Sequence, residues 1–301
     1  MEAVSVGLIG TGLMGYGIGI NLIKKGYTLH IVEHKNNKNV QSLKELGACL
    51  ETNKTCIGEK CNIIILCLPS SEVIEDIIIG EDGLLNHLKS DSVIIDCSTS
   101  NPNSTILLSE LLKKKNVHLL DAPLNRGPRD AINGKLNVMI GGDPSIYEKS
   151  KKIIESFAEN TFYIGELSSG HKLKLLNNYI SMAFSAIVIS SLAYAQVQNL
   201  DINKLNDVMS QGSNYIPALP LMIKWLEHRD ESIMQFSIEN ARKDLSYFKS
   251  LIEENSIDTQ IVASVCKVFD EAVNGGFGGK MLPSLYDFFT SYNNLGNERD
   301  N

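Results

Sequence analysis

Lys174, Asn177 and Asn178 are the side chains best placed by type and spacing to do chemistry in this chain of 301 residues. They stand in S-S-G-H-K-L-K-L-L-N-N-Y-I-S, which opens the run Ser168–Gln198, small or apolar on nearly every side. A helix that is apolar all round is expected to be buried, and roughly 30 residues at ~1.5 Å each would span ~45 Å. Spacings of three and four put Lys174, Asn177 and Asn178 on one face of that helix. An ammonium and two carboxamides at the mouth of a buried helix cost desolvation unless something polar meets them. A substrate in need of a proton donor would meet them. The blander reading is a snorkelling lysine with two asparagines that cap neighbouring loops.

A second constellation stands at the start of the chain. Val4–Ile9 is a β-branched apolar run that ends in G-T-G-L-M-G, and a helical pattern follows it to Lys25, with Gly26 as the stop. In this strand–turn–helix setting Gly10 permits a tight turn, Gly12 a close approach to a pyrophosphate, and Gly15 close packing of helix on strand. The helix start at Leu13 and Met14 supplies amide donors and the positive end of a dipole to the phosphates. The second strand, Tyr27–Val32, ends at Glu33, about 20 residues beyond the glycines, where a carboxylate accepts hydrogen bonds from the adenosine ribose. An acid there favours NAD(H), since it repels a 2′-phosphate. His34 and Lys35 soften that repulsion and leave NADP(H) open.

Strand and helix patterns then alternate: Asn62–Leu68, Glu72–Ile79, Ser92–Asp96, a helix from about Pro102 that Ser98 or Ser100 can cap, and Val117–Asp121. Such alternation predicts an α/β fold with a doubly wound parallel sheet, whose ligands gather at the carboxyl ends of the strands. The loops that matter are then Leu68–Ser70, Ser98–Pro102 and Ala122–Arg129. In the last of these Arg126, beside Gly127, offers a planar fork of donors suited to a carboxylate or sulfonate; its alternative is a solvated surface arginine, the reading given to Arg129. An extra strand within Asn133–Gly142, a helix Pro144–Phe157 and a strand Thr161–Ile164 complete a domain of residues 1–166. Residues 167–301 read as a long interdomain helix and an all-helical domain, with periodicity over Ile202–Gln211, Ala218–Glu227, Ser237–Glu254, Gln260–Gly275 and Leu282–Tyr292.

Bulk properties narrow the function further. A net charge of −7 argues against nucleic acid or an anionic membrane as principal partner. The six cysteines, at 49, 56, 61, 67, 97 and 266, lack metal-ligand spacing, so no metal is expected and reduced thiols in a cytoplasmic protein are. Folding signals begin by Val4, with no signal peptide before them. The apolar helix is broken by serines and carries Lys172 and Lys174 at one end, which favours a buried soluble helix over a membrane span.

Taken together, G-L-I-G-T-G-L-M-G-Y-G, C-L-P, D-C-S-T-S-N-P, D-A-P-L, G-H-K-L-K-L-L-N-N and K-D-L resemble the β-hydroxyacid dehydrogenase family, which includes 3-hydroxyisobutyrate dehydrogenases. The resemblance covers essentially the whole chain and implies an NAD(P)-dependent oxidoreductase acting on a small anionic aldehyde or hydroxy acid. It implies Lys174 as catalytic residue, with Asn177 and Asn178 holding substrate beside it. Ser98 and Thr99 would lie near nicotinamide and substrate, Leu68 and Pro69 along the cofactor groove, and Lys243 would reach towards the nicotinamide. It also implies a homodimer or homotetramer formed through the helical domain. Where most of the family has Ser-Gly-Gly, whose amides hold a carboxylate, this chain has Asn125-Arg126-Gly127; Gly278–Leu285 departs as well, with Lys280, Met281 and Pro283. The arginine, together with K-L-x-N-N-Y-x-S up to Ser181, resembles the 3-sulfolactaldehyde reductase subgroup and implies a sulfonate held by Arg126. Semialdehydes carrying a carboxylate, and a non-catalytic dinucleotide-binding regulator, are the alternatives.

Overall fold

The computed structural model describes residues 4–33, 37–213, 215–257 and 260–296; His34 and Lys35 lie outside the described residues. The chain forms two compact units, Met1–Lys174 and Leu175–Asn301. The division falls inside a helix, beyond the 166 at which the sequence reading ended the first domain.

In the first unit β1 (Ser5–Ile9), α1 (Leu13–Lys24) and β2 (Thr28–Val32) are followed by α2 (Asn37–Glu45), β3 (Cys49–Glu51) and α3 (Lys54–Lys60). Next come β4 (Ile63–Leu66), α4 (Ser71–Ile79), β5 (Val93–Asp96), α5 (Pro102–Lys113) and β6 (His118–Asp121). A short β7 (Leu124–Asn125), α6 (Pro128–Ile132), β8 (Leu136–Gly141), α7 (Pro144–Ile154) and β9 (Ala158–Gly165) complete it. Six strands run parallel in the order β3-β2-β1-β4-β5-β6, and β8 joins β6 antiparallel. The strand order reverses between β1 and β4, which makes the carboxyl ends of those strands a ligand crevice.

Successive residues of each strand point to opposite faces. Val6, Leu8, Ile65, Ile95 and Leu120 therefore meet α1, α2 and α7 in one core, while Ile9, Ile64, Leu66, Ile94 and Leu119 meet α3, α4 and α5 in the other. Strands apolar on both faces are what a doubly covered parallel sheet requires, and the expected α/β architecture is the one observed.

Two local details differ from the sequence reading. The segment α2–β3–α3 was not legible, because α2 buries only Val40 and Leu43 and β3 has three residues. The cap of α5 is Asn101, whose side chain accepts from the Asn103 amide, rather than Ser98 or Ser100; both serines are engaged elsewhere, as described below.

The long helix α8 (Ser169–Val197) leads into α9 (Ile202–Ser210), α10 (Ala218–His228), α11 (Ile238–Glu254), α12 (Gln260–Ala272) and α13 (Leu285–Gly296). A single core built from α8, α10, α11, α12 and α13, with Phe269, Ile189, Leu192 and Leu285 fully enclosed, holds the second unit together. By length and composition α8 is also apolar enough to cross a membrane. The expectation that α8 is buried all round is corrected by the structure. Leu176, Ile180, Phe184, Ile187, Tyr194 and Val197 are 41–63% exposed and recur at helical spacing along one face. Apolar composition reports that a face avoids water, not that this chain alone covers it.

Candidate active site

The glycine-rich turn is built as its sequence requires. Gly10 adopts φ +100°, and a Cβ on it would stand 2.2 Å from the Cys67 carbonyl oxygen; a Cβ on Gly15 would stand 1.8 Å from the carbonyl oxygen of Gly10. No other residue fits either position. Around Gly12, by contrast, nothing else among the described residues lies within 4 Å of where a Cβ would be, so the backbone faces open space. Gly12 caps α1 without any side-chain hydrogen bond, and Leu13 is exposed. An uncapped helix start of this kind leaves its first amides for an anion. These features fit a dinucleotide: the turn Gly10–Gly15, with Leu13 and Met14, would hold the pyrophosphate, and exposed Glu33 at the end of β2 the ribose. Beside the turn, desolvation pushes the Cys67 thiol up to about 12, reinforced by the Asp96 carboxylate, so this thiol is not a nucleophile at neutral pH.

Two loops at the same sheet edge are joined to each other. The amide of Leu68, just after β4, donates to Ser98 Oγ at 2.9 Å, and the Ser98 amide donates to Asp96 Oδ1 at 2.9 Å. Ser100 Oγ donates to Asp96 Oδ2 at 2.8 Å. Ser98 is only 4% exposed, and its Oγ ties the loop after β5 to the loop after β4. Thr99 is half-buried between two anchored serines, and Pro69 is exposed after Leu68. One buried carboxylate, Asp96, thus fixes the turn that carries Thr99.

Asn125, Arg126 and Gly127 connect β7 to α6. Arg126 has φ +78° and its amide donates to Asn125 Oδ1 at 2.7 Å. Its guanidinium is not an open anion fork: Nη1 donates to the Lys135 carbonyl at 2.7 Å and to Glu159 at 2.5 Å. Glu159 on β9 is a competing carboxylate that four-residue loop spacing could not reveal. The pair is partly exposed on both sides, a setting in which ion pairs are worth about 0–1 kcal/mol, so an anionic ligand can displace it.

In the second unit the buried Asn178 gives its Nδ2 to Asp244 Oδ2 at 2.6 Å, and Asn177 Nδ2 lies 3.4 Å from Asn178 Oδ1. Lys243 Nζ is 3.0 Å from Asp244 Oδ1 and 5.4 Å from the centre of the Tyr247 ring. The charge of Lys243, which the resemblance sends towards the nicotinamide, is thus offset by Asp244. Asp244, 2% exposed, is the buried partner of Asn178 that the sequence analysis did not single out. The signal was there: Ala241, Leu245 and Phe248 form the buried stripe of α11, and an acid sits within it. With its donor committed to Asp244, Asn178 is held in one rotamer one turn beyond Lys174. Lys174 is half-buried, and Ser181, two turns on from it, is exposed.

Comparison with known proteins agrees with this fold. Residues 5–165 match the family model for the NAD binding domain of 6-phosphogluconate dehydrogenase. Residues 168–286 match the model for the NAD-binding of NADP-dependent 3-hydroxyisobutyrate dehydrogenase. The chain is 23% identical over 284 residues to 2-(hydroxymethyl)glutarate dehydrogenase of Eubacterium barkeri, covering 94% of each. It is 28% identical over 291 residues to the chloroplastic glyoxylate/succinic semialdehyde reductase 2 of Arabidopsis thaliana, covering 95% of this chain and 80% of that one. A crystal structure of 3-hydroxyisobutyrate dehydrogenase from Salmonella typhimurium superposes with a TM-score of 0.85 at 18% identity, over 95% of this chain and 99% of that one, which shows the shared fold. The chain belongs to the 3-hydroxyisobutyrate dehydrogenase-like β-hydroxyacid dehydrogenase family, NAD(P)-dependent enzymes that act on CH–OH groups.

Proposed function

We propose that this enzyme interconverts a short aldehyde bearing an acid group and the corresponding hydroxy acid, with NAD(H) preferred and Lys174 as the proton donor. The observation that carries the reading is the buried Asn178–Asp244 pair, whose carboxamide stands one turn along α8 from Lys174: a carboxamide locked by a buried acid suits a substrate that must be held at one angle. A bound reduced nicotinamide supplies the hydride that an aldehyde carbon accepts. Lys174 delivers a proton to the oxygen that becomes the alcohol, and takes it back in the oxidative direction. Asn178, one turn along α8 from Lys174 with its Nδ2 committed to Asp244, orients what binds there. Glu33 supports the NAD(H) preference through repulsion of a 2′-phosphate.

The acid group has two candidate holders. Backbone amides around Asn125–Gly127 suit a carboxylate, in keeping with the glutarate and semialdehyde substrates in the relatives' names. Arg126 suits a sulfonate such as that of 3-sulfolactaldehyde, since among the described residues its Nη1 makes both contacts and its other donors remain for a ligand that displaces Glu159. Steady-state oxidation of NADH and NADPH with succinic, methylmalonic and tartronic semialdehydes and 3-sulfolactaldehyde decides between them. A carboxylate pocket gives one semialdehyde the highest kcat/KM, changed less than threefold in Arg126→Ala. A hundredfold lead for the sulfonate, lost in that variant, gives the sulfonate reading instead. Inactivity across a broad aldehyde panel would leave a dinucleotide-binding regulator.

The exposed stripe Leu176–Val197 of α8 supports a homo-oligomer in which a second copy covers it, because an apolar face of this length is costly in water. Ile187→Glu is expected to yield monomers in sedimentation equilibrium where the unmodified chain gives dimers or larger; an unmodified chain that sediments as a monomer at micromolar concentration rejects this assembly. Six unpaired thiols suit a reducing compartment, and we place the enzyme in the cytoplasm.

A further inference from the structure

His171 is fully buried at the start of α8, three residues before Lys174, and the proposed reaction does not use it. Its Nδ1 lies 2.9 Å from Thr105 Oγ1 on α5. Its Nε2 has no hydrogen-bond partner but faces Asp96 Oδ2 at 3.6 Å. A polar ring nitrogen enclosed without a partner is costly, so its one charged neighbour needs an explanation.

The hydrogen-bond inventory limits the ring's state. If Thr105 donates to Nδ1, the neutral ring carries its hydrogen on Nε2, aimed at the carboxylate. If Thr105 instead donates to the Asn101 carbonyl, 3.3 Å away, then Nδ1 must donate to Thr105, and a bare Nε2 would set a lone pair against Asp96. Only the first neutral arrangement puts a hydrogen on Nε2 facing Asp96, and it is the favourable one.

Asp96 is the carboxylate that holds Ser98 and Ser100 and thereby the Thr99 turn. Asp121, which pairs with Asp96 across β5 and β6, grips the same helix start by accepting from the amides of Ser168 at 2.7 Å and His171 at 2.8 Å. The first turn of α8 is therefore fixed by its backbone to one strand end, and its His171 ring faces the carboxylate at the next.

The geometry points to His171 as a positioning residue for the dehydrogenase reaction: it ties the helix start that carries Lys174 to the Asp96 carboxylate that shapes the Thr99 turn. Proton donor and cofactor loop then keep one register. This rests on Lys174 being the proton donor.

The test compares His171→Leu, His171→Gln and Thr105→Val with Lys174→Ala. A misplacement of about 1 Å can cost on the order of a hundredfold in rate. His171→Leu is accordingly expected to lower kcat about 10- to 100-fold while the aldehyde KM and the NADH dissociation constant from fluorescence stay within about threefold. The primary isotope effect with 4-deuterated NADH should rise, because hydride transfer becomes limiting; a lowered folded fraction cannot raise it. His171→Gln, which can offer an N–H to Asp96, should recover at least half of the loss on a logarithmic scale. In the cofactor-free protein the melting-temperature losses of His171→Leu and Thr105→Val should be less than additive, as for two ends of one contact. Should His171→Leu fail to fold, Thr105→Val carries the kinetic test in the same direction.

Wild-type kcat and isotope effect in folded His171→Leu, with Lys174→Ala inactive, overturns the positioning role alone. A Gln variant no better than Leu, both with unchanged isotope effects, reduces His171 to a packing residue. An active Lys174→Ala removes the parent reading instead.

Discussion

Lys174→Ala is expected to lower kcat by about a hundredfold to ten-thousandfold, the range that a positioned general acid contributes, while NADH still binds with its unmodified dissociation constant. The two effects separate because the cofactor turn Gly10–Gly15 belongs to the sheet of the first unit. Its shape follows from glycines packed on the carbonyls of Cys67 and Gly10. Single-turnover oxidation of NADH reads the chemical step directly, and fluorescence quenching reads the cofactor. If Lys174→Ala turns over within tenfold of the unmodified enzyme, the proton comes from elsewhere. Asn178 can play no such part, since its amide is bound to Asp244 and has no proton to give at neutral pH.

Asp121→Asn is expected to lower the melting temperature more than substitutions among the exposed polar residues. Asp121 is fully buried, and each of its oxygens accepts an amide hydrogen from the first turn of α8. Those amides are among the orphan donors of a helix start, and a carboxylate there is also favoured by the helix dipole. An asparagine keeps the shape but turns an N–H towards one of the two donors. The lost charge-assisted bond and the buried unsatisfied amide together cost about 3 kcal/mol, which corresponds to roughly 6–12 °C at 2–4 °C per kcal/mol. A melting temperature within about 2 °C of the unmodified protein would mean that the first turn of α8 repacks without this anchor. The same variant links stability to catalysis: if the start of α8 frays, Lys174 loses its place, and kcat should fall further than the folded fraction accounts for.

Much of this enzyme was written in local chemistry. The strand–glycine turn–helix at Val4–Lys25 is readable because the positive φ of Gly10 and the close approach of Gly15 to the Gly10 carbonyl are demands of the turn itself, which act within a few residues. The doubly wound sheet is readable because strands covered on both faces must be apolar throughout, as Ile63–Leu66 and Val93–Asp96 are nearly so. Lys174, Asn177 and Asn178 stand out because polar groups in an apolar helix need a reason.

Other features depend on which distant atoms meet, and no local pattern encodes that. Glu159 is 33 positions from Arg126 in the chain, and only the sheet brings it onto the guanidinium. Asp244 is 66 positions from Asn178, and only the packing of α11 against α8 makes it the carboxamide's partner. Ser98 was legible as a polar loop residue, but its tie to the loop after β4 runs through the Leu68 amide, 30 positions away. The apolar face of α8 divides the same way: the sequence determined that it is apolar, and the tertiary structure decided that this chain leaves Leu176, Ile180, Phe184 and Ile187 in water. Hydrophobicity is a property of the residue, whereas burial is a property of whatever the fold sets against it.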